Sequence, residues 1–202
     1  MWGHLDRFAL EMDIINRCFS DLLTSDPIPP TSRLPFSKDE VKKVWAHREQ
    51  PWVDTVLILI YSGWRISELL NLKPEDIDLQ AGTMKGGTKT KAGKDRVVPI
   101  HSKIRALVEA RLAEGGPRLI GYNGRACSQT QYRVFWADIM KALEMNHTPH
   151  ECRHTFETQL DSAGANRKCI DLLMGHVSKD TGNRVYNHKT LDELKAAVEL
   201  ME

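Results

Sequence analysis

Residues 148–188 read TPHECRHTFETQLDSAGANRKCIDLLMGHVSKDTGNRVYNH. Thr148-Pro149 opens a helix, because proline is tolerated in the first turn, where its missing N–H has no helical partner anyway. His150 and Arg153 stand three apart and His154 four from His150, so the three share a helix face. Gly164 ends that helix, Arg167 to Met174 form the next, and Gly175 stops it so that His176 sits at a helix C-terminus, where a protonated imidazole is favoured. Tyr186 follows a loop containing Gly182 and Asn183. This collects cationic and proton-carrying groups round one phenol, which suits a phosphate ester as target. Arg153 offers a planar fork of donors to phosphate oxygens, imidazoles titrate near neutrality, and a phenol that loses its proton (pKa about 10) is a nucleophile. Taken singly, His176 also reads as a helix-end cap and Tyr186 as a packing residue.

Working upstream, residues 128–144 predict a helix with Tyr132, Phe135, Trp136, Ile139 and Leu143 on its apolar face, and residues 102–114 another with Ile104, Leu107, Val108 and Leu112. The GGPRLIGYNGRAC stretch between them reads as a loop. Residues 76–100 carry strand and turn signals that fit a small antiparallel sheet of two or three strands. Before the sheet, WRISELLNL has helical spacing of Ile66, Leu69, Leu70 and Leu72, and the apolar run over residues 52–61 reads as a buried helix broken by Ser62-Gly63. Arg65 therefore opens a helix at the end of a buried one. With Glu68 to orient it, its guanidinium suits a fixed phosphate contact, or equally a surface pair three residues apart. Ser37 and Glu40 form a capping-box pattern for a helix reaching about His47.

The chain begins with helical spacing of Leu5, Phe8, Ala9, Met12, Ile15 and Phe19, which predicts a helix over residues 1–24. Residues 25–35 hold four prolines and read as an extended linker and domain boundary. Residues 36–202 form the second unit. It closes on the stripe Leu191, Leu194, Val198 and Met201 of a helix over 190–202, fit for packing on its own domain or docking on a neighbouring copy. The fold class expected is mainly α with a small antiparallel β-sheet, an α+β domain.

A hydrophobic fraction of 41% and a charged fraction of 27% over 202 residues describe a globular chain with room for a full core. The longest apolar run, residues 53–61, contains Asp54 and is too short to span a bilayer, so the expectation is a cytoplasmic protein without a membrane partner. Cys18, Cys127, Cys152 and Cys169 lie far apart and read as reduced thiols. The formal net charge is only +1, yet residues 85–105 carry seven Lys/Arg against one acid, a local +6. Such a patch is either a solvated lysine-rich hairpin or a footprint for a polyanion; Lys85, Lys89, Lys94 and Arg96 are the candidate DNA contacts. A metal site of His150, Cys152 and His154 is disfavoured, because on a helix Cys152 points away from the two histidines. No Asp/Glu cluster for two catalytic metals and no GxxxxGK[ST] loop appears, so neither metal nor nucleotide cofactor is expected.

The order Arg65, Lys91, His150-x-x-Arg153, Gly175-His176, Tyr186 resembles that of the tyrosine recombinases, the phage integrase-like family, over about residues 36–187. TPHECRHTF is similar to the family's histidine-to-arginine box, GWRISELLNL to its first arginine box, TKAGKDRVVPI to its lysine-bearing hairpin, and LMGHVSKDTGNRVYNH to its histidine-plus-nucleophile ending. The ten-residue step from His176 to Tyr186 is one longer than in some members.

The resemblance implies the family's catalytic-domain fold and metal-independent, site-specific DNA recombination, as in the integration or excision of phages and other mobile elements. Tyr186 would attack a DNA phosphodiester to give a 3′-phosphotyrosine, with Arg65, Arg153 and His176 on the non-bridging oxygens. Lys91 would protonate the leaving 5′-oxygen and His150 would assist transfer of the tyrosine proton. It implies also that residues 1–24 are the end of a core-binding domain. The partners implied are double-stranded DNA and, on DNA, a homotetramer that exchanges C-terminal helices, with a monomer in its absence. Alternatives left open are a DNA-binding fragment without chemistry, a type IB topoisomerase-like relaxation enzyme, and a metal-dependent nuclease.

Overall fold

A computed structural model describes residues 2–22, 34–87, 93–176 and 189–202. Residues 1–32 and 33–202 are two separate units.

The first unit contains α1 (Trp2–Glu11) and a 3-10 turn at Ser20–Leu22, where the Ser20 N–H donates to the Asp6 carboxylate. The helix is shorter than the apolar spacing predicts. Asp13 takes a left-handed backbone (φ 56°), and the Asp13 and Ile14 N–H groups fold back onto the carbonyls of Leu10 and Ala9. That closure satisfies the last carbonyls and ends the helix, so Ile15 and Phe19 belong to no helical face.

The second unit is built round α3 (Val53–Ser62), in which every residue except Asp54 is buried. A helix apolar on all sides has to be enclosed, and each fully buried Val, Leu or Ile contributes roughly 1.5–3 kcal/mol. Its neighbours are α2 (Lys38–Ala46), α5 (Arg105–Ala113) and, most extensively, α7 (Pro149–Ser162). The bidentate pair of Arg111 with Asp54, both bonds 2.6 Å, fastens α5 to α3, so the one charge on the buried helix is matched.

The starts of α2 and α7 are tied together. Ser37 caps α2 with Glu40 completing its capping box, and Thr148 and Glu151 stand at the start of α7. His147 lies between the two acids, its Nε2 3.0 Å from Glu40 and its Nδ1 2.8 Å from Glu151, with its ring stacked on Phe36. This fixes where α7 begins, and with it the positions of His150 and Arg153.

Three strands, β1 (Ile77–Asp78), β2 (Thr83–Gly86) and β3 (Arg96–Pro99), form an antiparallel sheet in sequence order. The register pairs Met84 with Val98 in the core and Gly86 with Arg96 at the connected end of the hairpin. The α+β class follows directly. Beyond the sheet lie α6 (Gln129–Ala142), α8 (Arg167–Met174) and α9 (Leu191–Val198). The α9 stripe packs on α8 and β3 of its own unit, burying Leu194, Val198 and Met201.

Two local expectations change. In WRISELLNL only α4 (Ile66–Leu69) is helical, because Lys73 precedes Pro74 and is held extended (φ −96°, ψ 160°). The GGPRLIGYNGRAC stretch is not a plain loop. It contains the hairpin β4 (Gly121–Tyr122) and β5 (Arg125–Ala126), turned by Asn123-Gly124 with φ of 50° and 72°. Asn-Gly is the dipeptide that favours this mirror-image turn.

Candidate active site

The site lies where α3 ends, α4 begins, α7 passes beneath and α8 stops. Gly63 caps α3 in the left-handed region (φ 63°), and a Cβ there would fall 2.4 Å from the Phe156 ring. Only glycine lets α3 turn this close to α7, and the turn delivers Trp64 and Arg65.

Arg153 reaches inward from α7 and is 2% exposed. Its Nη1 donates to the Gly63 carbonyl (2.7 Å) and its Nη2 to the Met174 carbonyl, the last of α8. Helix-end carbonyls lack intrahelical partners and carry partial negative charge, so they seat a guanidinium well. The Nη2 also lies 3.5 Å from Nε2 of His176. Burial first, then the charges of Arg65 and Arg96, press the Arg153 pKa down to about 9, which still leaves it protonated at neutral pH.

Arg65 sits one residue before α4 with an extended backbone. The side chain of Glu68, 1% exposed, accepts from Arg65 Nη1 on Oε1 (3.0 Å) and from the Arg65 backbone N–H on Oε2 (3.1 Å). Of the two readings of Arg65, the surface pair is excluded: the pair exists, but its carboxylate is buried. The same Oε2 accepts from Arg96 Nη2 at 2.9 Å. Burial works against the charge on Glu68, but the hydrogen bond and charge of Arg96, joined by those of Arg65, hold its pKa below the ordinary range. Two guanidiniums therefore share one enclosed carboxylate, while the third, Arg153, is held by main-chain carbonyls.

His176 corrects an expectation. Its position after α8 predicts a stabilised imidazolium, yet partial burial and then the Arg153 charge lower its pKa. A full cation at 3.5 Å outweighs the fractional charge of a helix end. Gly175, the residue before it, is left-handed (φ 62°), and a Cβ there would stand 2.8 Å from the Gly93 Cα.

His150 is exposed near the start of α7, its ring edge-on to His154 at 4.7 Å. Cys152 points into the core with no exposure. Among the described residues no group of three or more His, Cys, Asp or Glu is placed to hold a metal. Lys85 and Lys94 are exposed on the hairpin. Arg96, expected as a DNA contact, is not a surface cation: its side chain is 4% exposed, because Gly86 opposite it and the Trp64 ring 4.0 Å away leave it facing inward. Lys89, Lys91 and Tyr186 lie outside the described residues. Sequence reasoning missed the carbonyls of Gly63 and Met174 as the seat of Arg153, and the buried role of Arg96. For the latter the sequence held no signal: Arg96 lies six residues after Thr90 in one basic run, and its places opposite Gly86 and over Trp64 are set by the fold.

A helical domain with a small sheet that gathers Arg65, Arg96 and Arg153 round Glu68 has an arrangement suited to an oxyanion. The chain belongs to the phage integrase family, whose pattern matches residues 36–193. It is 30% identical over 190 residues to the tyrosine recombinase XerA of Pyrococcus horikoshii, an alignment covering 89% of this chain and 65% of that protein. Across XerA relatives from three archaea the chain spans between 53% and 66% of their length. The fold is similar to that of the Tn1549 transposon integrase in complex with circular intermediate DNA (TM-score 0.69, 23% identity, 96% of this chain and 74% of that one). It is similar also to a lambda integrase tetramer bound to a Holliday junction (TM-score 0.71, 17% identity, 89% and 57%). No helix among the described residues is long and apolar enough to cross a membrane.

Proposed function

We propose that this chain carries out site-specific DNA recombination, cleaving and rejoining strands through a 3′-phosphotyrosyl intermediate. The observation that carries this reading is that Arg65 and Arg153 are both fixed at the end of α3, Arg65 by Glu68 and Arg153 by the Gly63 and Met174 carbonyls. Burial first, then the charges of Arg65 and Arg96, bring the Arg153 pKa to about 9, so a negative charge among these groups is stabilising. A scissile phosphate between Arg65 and Arg153 relieves that repulsion, and most of all when its charge grows in the pentacoordinate transition state.

The phenol oxygen of Tyr186 attacks phosphorus and the bond to the 5′-oxygen breaks. The tyrosine proton passes to His150, and Lys91 supplies a proton to the leaving 5′-oxygen. His176, beside Arg153, donates to a non-bridging oxygen. The covalent phosphotyrosine conserves the ester energy, so a second 5′-hydroxyl reverses the step without nucleotide or metal. Lys85, Lys89 and Lys94 contact the DNA backbone.

The acting species in this reading is a homotetramer on two DNA duplexes, in the cytoplasm, formed from monomers and serving a phage or other mobile element. The tetramer bound to a junction supports the assembly by likeness of fold. Exchange of C-terminal helices between copies requires release of contacts now made within one chain. These are Tyr61 Oη to the Glu202 carbonyl (2.8 Å), His101 Nε2 to the Met201 carbonyl (3.1 Å), and Ser102 to Glu199.

The test uses a pool of random-sequence duplexes nicked so that the cleaved fragment diffuses away, with covalent protein–DNA adducts captured and sequenced. Adduct formed by the wild type and lost in Tyr186→Phe supports the reading. Binding without adduct favours a DNA-binding fragment, and adduct with plasmid relaxation but no joint molecules favours a topoisomerase.

A further inference from the structure

Arg96 is more deeply buried than a DNA contact should be, and two of its donor atoms, Nε and Nη1, have no hydrogen-bond partner among the described residues. Buried unpaired donors are unfavourable, so their retention calls for a reason. Its surroundings supply one. Trp64 stacks on the guanidinium at 4.0 Å and sets its plane, while Nη2 holds Oε2 of Glu68. On the other side the chain at Gly175 rests against it: a Cβ on that residue would lie 3.4 Å from Arg96 Cδ and 3.5 Å from Nη1. One side chain thus touches the carboxylate that orients Arg65 and the turn that presents His176.

We infer that Arg96 is a positioning residue that sets the orientation of the Arg65 guanidinium through Glu68; the inference rests on the recombinase reading of this site. With Arg96 in place, Glu68 gives one oxygen to each guanidinium side chain, and Arg65 is bound by Nη1 alone. A carboxylate 1% exposed cannot turn to water for a replacement partner. If Arg96 is removed, Oε2 keeps only the Arg65 backbone N–H, and the planar fork of Arg65 closes on both oxygens, the geometry guanidinium–carboxylate pairs favour. Arg65 is then turned away from the phosphate and its outward donors are consumed. Lysine keeps the charge at this place but lacks the flat fork that stacks on Trp64 while reaching Glu68.

The experiment measures single-turnover adduct formation at saturating nicked DNA, DNA affinity against salt, and thermal melting, for wild type, Arg96→Lys, Arg96→Met, Arg65→Ala and the double variants. Both Arg96 variants are expected to slow the adduct step by roughly 10- to 100-fold, the scale for a misplaced reacting group. Their salt dependence of binding should match that of the wild type. In the Arg65→Ala background the Arg96 substitutions should slow the step no further. An unchanged rate in a folded variant overturns the inference. So does a loss confined to affinity with a salt slope reduced by about one, which marks a direct phosphate contact, or a rate loss that multiplies with that of Arg65→Ala. If Arg96→Met does not fold, Arg96→Lys decides by the same criteria. Failure of the wild type to form adduct would instead sink the recombinase reading.

Discussion

Nη2 of Arg153 stands 3.5 Å from Nε2 of His176 while also donating to the carbonyl of Met174, two residues before that histidine. The helix that positions the imidazole is thus held by the cation that lowers its pKa. Proximity and protonation state are one arrangement.

Anion binding should therefore raise the His176 pKa. Burial and then the Arg153 charge shift the imidazole pKa down, and a bound phosphate analogue offsets that charge. Titration of the His176 ring by NMR with and without vanadate should show an upward move with the anion; an Arg153→Lys variant should show a smaller one.

Replacing Arg153 by methionine leaves the Gly63 and Met174 carbonyls buried without their donor. A loss of about 1–3 kcal/mol for each unpaired group is expected, read by urea denaturation, together with loss of adduct formation. Arg153→Lys should recover part of the stability but little of the activity, since an ammonium cannot span both carbonyls and an oxyanion in one plane.

Gly63→Ala should destabilise by about 1–3 kcal/mol, because its Cβ would meet Phe156 Cδ1 at 2.4 Å and its backbone is left-handed. The overlap is with one ring, so Phe156→Leu in the same molecule should be less than additive with it. A double-mutant cycle by thermal melting checks this.

Stability should fall in two stages as pH is lowered. His101, chiefly through burial, and His176 have folded pKa values below their unfolded ones. The unfolded chain therefore binds more protons as pH drops below about 6.5, and stability contributed by the neutral rings is lost there. His101 accepts from the Lys103 N–H at Nδ1, a bond the imidazolium cannot make. Glu68 and Glu199 are also depressed, so their contribution, present above the unfolded carboxylate pKa of about 4.3, is lost below it. Urea midpoints from pH 8 to pH 3 measure both stages, and His101→Gln should flatten the upper one.

Lys85→Ala and Lys94→Ala should each lower the slope of log affinity against log salt by about one without altering sequence preference, as for phosphate contacts. Fluorescence anisotropy on two unrelated duplexes over a salt series tests it.

Local patterning determined much by itself. The all-apolar run of α3, the capping box at Ser37, the helix start at Thr148-Pro149, the strand pair ending in Val97-Val98-Pro99 and the glycines at 63 and 175 are each readable, because caps, turns and periodicity act over a few residues. The resemblance to the tyrosine recombinases, and not patterning alone, joined Arg65, Arg153 and His176 as a set. Patterning overran at the first helix, since spacing says which face is apolar but not where a residue such as Asp13 turns left-handed. Only the tertiary structure decided which charges meet. Arg96 and Lys94 are two residues apart in one basic run, yet one is enclosed by Trp64 and Glu68 and the other faces water. Likewise the His176 pKa is lowered where its helix end would favour a raised one, because the fold part-buries it and brings Arg153 from 23 residues upstream. Electrostatics depends on distance and burial, and both are set by packing between segments that are remote along the chain.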